Sequence, residues 1–133
     1  MLRIDGASLT VEDVIAVARA GTKVGLAPRA RTAVERSRHA VERIVRRGEL
    51  AYGIKTGFGQ LEHVAIPPDQ VRDLQLNLVR SHAAGTGPEL PREHVRAAMI
   101  IRANALAKGF SGVRLEVVQR LLDFLNEGVH PVV

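Results

Sequence analysis

Cysteine is absent from the 133 residues, and so is tryptophan. Without thiols there are no disulfides and no thiolate metal sites, a usage that suits a reducing compartment, so the expected location is cytoplasmic. Aromatic residues amount to 3% of the chain, namely Tyr52, Phe58, Phe110 and Phe124. The core must therefore be filled by Val, Leu, Ile and Ala, a composition that favours helices. No uninterrupted apolar run approaches the roughly 18 residues of a membrane span, and Met1-Leu2-Arg3-Ile4-Asp5-Gly6 lacks the apolar stretch of a signal peptide. No membrane partner is expected.

What is present fits one compact domain over residues 1–133, a length near the commonest size of a single core. Hydrophobic residues make up 46% and charged residues 25%, which excludes a disordered composition. The net charge of +5 raises the question of a nucleic-acid partner. Its arrangement argues against one. Between Arg29 and Arg47 lie seven arginines, but Glu35 and Glu42 are interleaved so that Arg31/Glu35, Glu35/His39, Arg38/Glu42 and Glu42/Arg46 are helical neighbours. That is the pattern of a solvated helix face, and the aromatic platforms wanted by single strands are missing.

Along the chain, residues 2–5 can form a short strand. Thr10-Val11-Glu12-Asp13 reads as a capped, acidic start of a first helix that runs to about Ala20 and stops at Gly21. Pro28 opens a second helix, whose apolar positions Ala30, Ala33, Val34, Val41, Ile44 and Val45 keep the 3.6-residue period up to Gly48. Residues 52–66 carry glycines and no helical period, as a loop does. Pro67-Pro68-Asp69 leads into a third helix ending near Ala84; its Leu74, Leu76, Leu78 and Val79 lie on more than one face, which predicts a largely buried helix. A fourth is expected from Pro91 to Lys108. The fifth, from Leu115 to Asn126, turns Val117, Val118, Leu121, Leu122 and Leu125 inward and stops at Gly128. The fold class is mainly α, with about five helices, a short N-terminal strand and a Gly-rich loop.

Two places are candidates for chemistry. In Tyr52-Gly53-Ile54-Lys55-Thr56-Gly57-Phe58-Gly59 the glycines fit either a plain surface turn or a loop that closely approaches a ligand. No phosphate-loop pattern is present. Tyr52 acts as an acid or base only where neighbours pull its pKa down from about 10. His82, in Ser81-His82-Ala83-Ala84-Gly85, shares a helical face with Leu78, Leu74 and Val71 and so is expected to point inward. It reads either as a satisfied core histidine or as a binding group at a helix end. His39, His63, His94 and His130 show no metal-ligand spacing, and no metal is expected.

Taken in order, these segments resemble the aromatic amino acid ammonia-lyases. Tyr52-Gly-Ile-Lys-Thr-Gly-Phe-Gly59 is similar to that family's Tyr-Gly-x-Asn-Thr-Gly-Phe-Gly loop, with Lys55 standing where Asn is usual. Leu74-Gln75-Leu76-Asn77-Leu78, Ser81-His82-Ala83-Ala84-Gly85, Arg102-Ala103-Asn104-Ala105-Leu106-Ala107-Lys108-Gly109, Ser111-Gly112-Val113-Arg114 and Gly128-Val129-His130-Pro131 follow in the family's order. The resemblance implies non-oxidative loss of ammonia from an aromatic amino acid, by way of a methylidene-imidazolone electrophile that forms from an internal Ala-Ser-Gly. That triplet does not occur here. Family members carry it a short way beyond the His-Pro matched by His130-Pro131, so the chain is expected to be a single N-terminal lyase domain ending before its own prosthetic group, and inactive alone.

The resemblance also implies roles for individual residues. Tyr52 becomes the base that takes the substrate's β-proton, and Gly57, Phe58 and Gly59 belong to a mobile loop that closes the site. Ser81-His82 resembles histidine-specific members, where tyrosine-selective ones carry His-Leu and phenylalanine-selective ones Phe-Leu. His82 and Ser81 would then bind the substrate, and the full-length homotetramer would convert L-histidine to trans-urocanate. The alternatives are a tyrosine or phenylalanine ammonia-lyase or aminomutase, and a stand-alone basic helical binding module.

Overall fold

The computed structural model describes residues 1–48 and 70–133. Along them run β1 (Leu2–Ile4), α1 (Val11–Ala18), β2 (Val24–Leu26), α2 (Pro28–Arg47), α3 (Val71–His82), α4 (Arg92–Ala107) and α5 (Leu115–Glu127). The fold is mainly helical, as the periodicity implied. Packing divides the chain into two units, residues 1–40 with 88–133 and residues 41–87.

In the first unit, β1 and β2 pair in parallel, with Leu2 opposite Val24, Arg3 opposite Gly25 and Ile4 opposite Leu26. Parallel neighbours need a crossover, and α1 supplies it. The helix starts as its sequence predicts: Asp13 N–H donates to Thr10 Oγ1 at 3.2 Å and Thr10 N–H to Asp13 Oδ2 at 3.1 Å, a reciprocal cap. β2 is an addition to the sequence reading. It is three residues long with Gly25 at its centre, too short for an alternation signal. What holds it is the end of α5. Asn126 Oδ1 accepts from Val24 N–H at 2.8 Å and its Nδ2 donates to Val24 O at 2.8 Å, as a third strand's peptide group would.

The hydrophobic core of this unit is built from Ile, Val, Leu and Ala with Met99, and holds no aromatic side chain among the described residues. Ile4, Val17, Val24, Val34, Ile100, Val118 and Leu122 are each at most 1% exposed, whereas Phe110 is 87% exposed. α4 is the central helix, packed against α1 and α5. Its end meets α2 closely. Gly109 has φ +76, and a Cβ there would lie 2.6 Å from the Ala33 carbonyl carbon and oxygen, so both the turn and the approach require glycine.

Two burial expectations need correction. In α5, Val118, Leu122 and Leu125 face the core, but Val117 is 41% exposed and Leu121 half-buried; the inward stripe is narrower than the run of apolar residues. In the second unit, α3 is not largely buried. Leu74 and Leu78 are half-buried, but Leu76 and Val79 are 47% and 64% exposed. A helix apolar on two sides needs cover on both, and the described residues do not supply it.

Candidate functional site

The site residues expected from sequence fall into two groups. Tyr52, Gly57, Phe58 and Gly59, together with Lys55, lie outside the described residues. Ser81 and His82 occupy the last turn of α3, and both are exposed. His82 follows Leu74 and Leu78 by helical steps, as expected, but it does not point into a core. Past it the helix ends at Ala83, whose N–H bonds Val79 O at 2.9 Å, and the exposed Ala84-Gly85-Thr86-Gly87 segment follows. The core-histidine alternative does not describe this residue here.

Local geometry ties the two side chains together. Ser81 Oγ lies 2.9 Å from Leu78 O and 3.0 Å from His82 Nδ1, and His82 Nδ1 itself lies 2.9 Å from Leu78 O. Both side chains stand in the last turn of α3 and turn back onto the Leu78 carbonyl at the start of that turn. The histidine is thereby anchored by one ring nitrogen while its body stands in solvent.

Elsewhere the charged chemistry serves the fold. Asp5 Oδ1 accepts from Ala7 N–H at 2.8 Å and Ser8 N–H at 2.9 Å, and its Oδ2 pairs with the Arg29 guanidinium. The two backbone donors, then the Arg29 cation, hold the Asp5 carboxyl well below the usual carboxylate range. The sequence reading missed Arg96, which is 2% exposed. Its guanidinium donates to Val17 O at 2.8 Å, Ala18 O at 3.2 Å and Leu125 O at 3.0 Å. Burial pushes its pKa down from the ordinary arginine value. The signal was present, since Arg96 sits three and four residues before Met99 and Ile100, on the core stripe of α4.

Among the described residues, no group of three or more His, Asp or Glu side chains is placed to hold a metal ion, and no helix is long and apolar enough to cross a membrane. An open groove of about 400 Å³ on α5 is lined by Arg114, Glu116, Val117, Arg120, Leu121 and Phe124. None of the expected site residues belongs to it.

Comparison with known proteins gives this arrangement a class. Residues 9–133 match the family model for aromatic amino acid lyases, and the chain belongs to that family. It is 50% identical over all 133 residues to histidine ammonia-lyase of Streptococcus gordonii, covering 26% of that protein. It is 55% identical over 131 residues to histidine ammonia-lyase of Chloroflexus aurantiacus, spanning 96% of this chain and 25% of the relative. The crystal structure of tyrosine aminomutase from Streptomyces globisporus superposes with a TM-score of 0.93 at 37% identity, covering 99% of this chain and 25% of that one. The chain thus spans about a quarter of the length of the relatives it matches.

Proposed function

We propose that the chain is the N-terminal quarter of a histidine ammonia-lyase, a single N-terminal domain of an enzyme that releases ammonia from L-histidine and leaves trans-urocanate. The observation that carries this reading is the Ser81-His82 pair at the exposed end of α3, in a chain 50–55% identical to histidine ammonia-lyases. The shared fold with a tyrosine aminomutase does not choose between reactions. The reading of substrate rests on the side chains at 81 and 82. An imidazole substrate offers a ring N–H that a phenyl ring lacks, and His82 supplies a hydrogen-bonding group to meet it. Tyr52 is the base that removes the β-proton, and Gly57, Phe58 and Gly59 form the loop that closes over the bound amino acid.

A methylidene-imidazolone, when formed, supplies the electrophile of this family. The residues here do not fit its formation, since no Ala-Ser-Gly triplet occurs among them; it belongs to the rest of a full-length, cytoplasmic homotetramer. This chain contributes substrate recognition and the base. The test is the double substitution Ser81→Phe with His82→Leu in the full-length enzyme. A site built to hydrogen-bond a polar ring loses more when its partner goes than an apolar pocket gains. Histidine kcat/KM should fall by about a hundredfold or more, with a smaller gain for phenylalanine. An unchanged ratio of the two kcat/KM values, with or without a loss of thermal stability, refutes the specificity role.

A further inference from the structure

We infer that Ser81 is a positioning residue that, with the Leu78 carbonyl, locks His82 as the Nδ1–H tautomer, so that His82 presents Nε2 to the substrate as a hydrogen-bond acceptor. The inference rests on the proposed substrate role of His82 and assigns that contact a polarity.

Donors and acceptors around the ring fix where its proton sits. His82 Nδ1 lies 2.9 Å from Leu78 O. A carbonyl oxygen only accepts, and two lone pairs facing each other at that distance repel, so the hydrogen must sit on Nδ1. With Nδ1 a donor, Ser81 Oγ at 3.0 Å cannot donate to it. The Ser81 hydroxyl proton therefore goes to Leu78 O at 2.9 Å, which leaves a hydroxyl lone pair to share the Nδ1–H. The three groups close a small ring in which every proton has one consistent place.

A neutral imidazole has one N–H. With it committed to the helix end, Nε2 carries the lone pair, on a residue that is exposed. The group it recognises is a ring N–H, which a substrate imidazole has and a phenyl ring does not. This also separates the tasks of the pair: His82 touches substrate, and Ser81 acts through His82. On this geometry Ser81 keeps the ring seated on Leu78 O: alanine leaves that carbonyl as the single anchor, and a ring that swings away from it is free to take the opposite tautomer.

The experiment uses the full-length enzyme with 15N-labelled histidine rings, examined by magic-angle-spinning NMR at a pH where imidazoles are neutral. His82 is identified as the signal lost in His82→Leu. The expected spectrum has a protonated Nδ1 and an unprotonated Nε2. In Ser81→Ala the same ring should shift toward the Nε2–H form, and histidine kcat/KM should fall about tenfold, mainly through KM. Ser81→Thr, which keeps the hydroxyl, should restore both the spectrum and KM. A native ring found as Nε2–H overturns the tautomer assignment while leaving His82 free to bind substrate as a donor. Unchanged kcat/KM in His82→Leu removes the substrate contact itself, and the inference falls with it. A Ser81→Ala enzyme with native tautomer and native KM overturns the role of Ser81 alone.

Discussion

Arg96 is where a single substitution should cost the fold most. Its guanidinium is held by main-chain carbonyls alone: Val17 and Ala18 at the end of α1, and Leu125 in the last turn of α5. They belong to the last turns of their helices, where carbonyls run short of intrahelical donors and carry the negative end of the helix dipole; Leu125 O has in addition a long bond from Gly128 N–H at 3.4 Å. A planar, five-donor cation on α4 meets both helix ends at once. Arg96→Met keeps the stem and removes every donor. The Val17 and Ala18 carbonyls, bonded to Arg96 in buried and part-buried surroundings, then lose their partner, and the Leu125 carbonyl keeps the long bond from Gly128 N–H. Each such orphan costs about 1–3 kcal/mol, which puts the total at roughly 3–5 kcal/mol, a large part of an ordinary domain's 5–15 kcal/mol. For a chain of this size 1 kcal/mol moves Tm by roughly 3–4 °C, so the midpoint should drop by roughly 10–20 °C. Arg96→Lys, a point charge that reaches fewer carbonyls, should fall between the two. Urea or thermal unfolding followed by circular dichroism provides the measurement. A methionine variant within about 1 kcal/mol of the parent would refute the reasoning, because apolar filling would then have matched the guanidinium despite the unpaired carbonyls.

The remaining expectations follow from equally local features. Gly109→Ala should destabilise by about 2–4 kcal/mol in the same assay, since it adds a strained positive φ to a backbone clash with Ala33; an unchanged midpoint would show that the α4 end does not press on α2. Asp5 predicts an acid-side effect. Its carboxyl stays charged in the folded chain below the ordinary value of 3.8, while the unfolded chain takes up a proton there, so its contribution is present above that pH and fades as pH falls through the lowered native value. The stability gap between parent and Asp5→Asn should therefore narrow on acidification below 3.8; a gap that widens contradicts the sign. Finally, the 133-residue chain by itself should produce no urocanate absorbance from L-histidine, since no Ala-Ser-Gly triplet is present to form the electrophile. Turnover above background would break that link.

How much of this was legible in the sequence depends on how local the determining physics is. Helix starts and stops were readable because capping and positive φ act within a few residues: Thr10 and Asp13 close α1, and Gly128 at φ +76 ends α5. β2 was not readable. Three residues with a central glycine have little strand preference of their own, and Val24 is paired instead by Asn126, about a hundred positions away. Arg96 was half readable. A charge on the core stripe of α4 marks a buried cation, but its partners are main-chain oxygens, which leave no trace in residue identity.

The site divides along the same line. Periodicity correctly put His82 in one row with Leu74 and Leu78, because the 3.6-residue repeat fixes which side chains share a face. It could not fix what that face meets. Leu74 and Leu78 are half-buried and His82 is exposed, so the row runs from partial cover out to solvent within two turns. An apolar stripe shows that a helix is to be covered, and the covering surface has to come from elsewhere in sequence. For α3, with Leu76 and Val79 exposed on its other side, the described residues do not provide that surface. The chemistry of the pair, by contrast, needs nothing distant. Ser81, His82 and the Leu78 carbonyl lie within four residues, and the fixed geometry of a helix's last turn brings them together. The pair proposed for recognition is therefore encoded locally even where its surroundings are not.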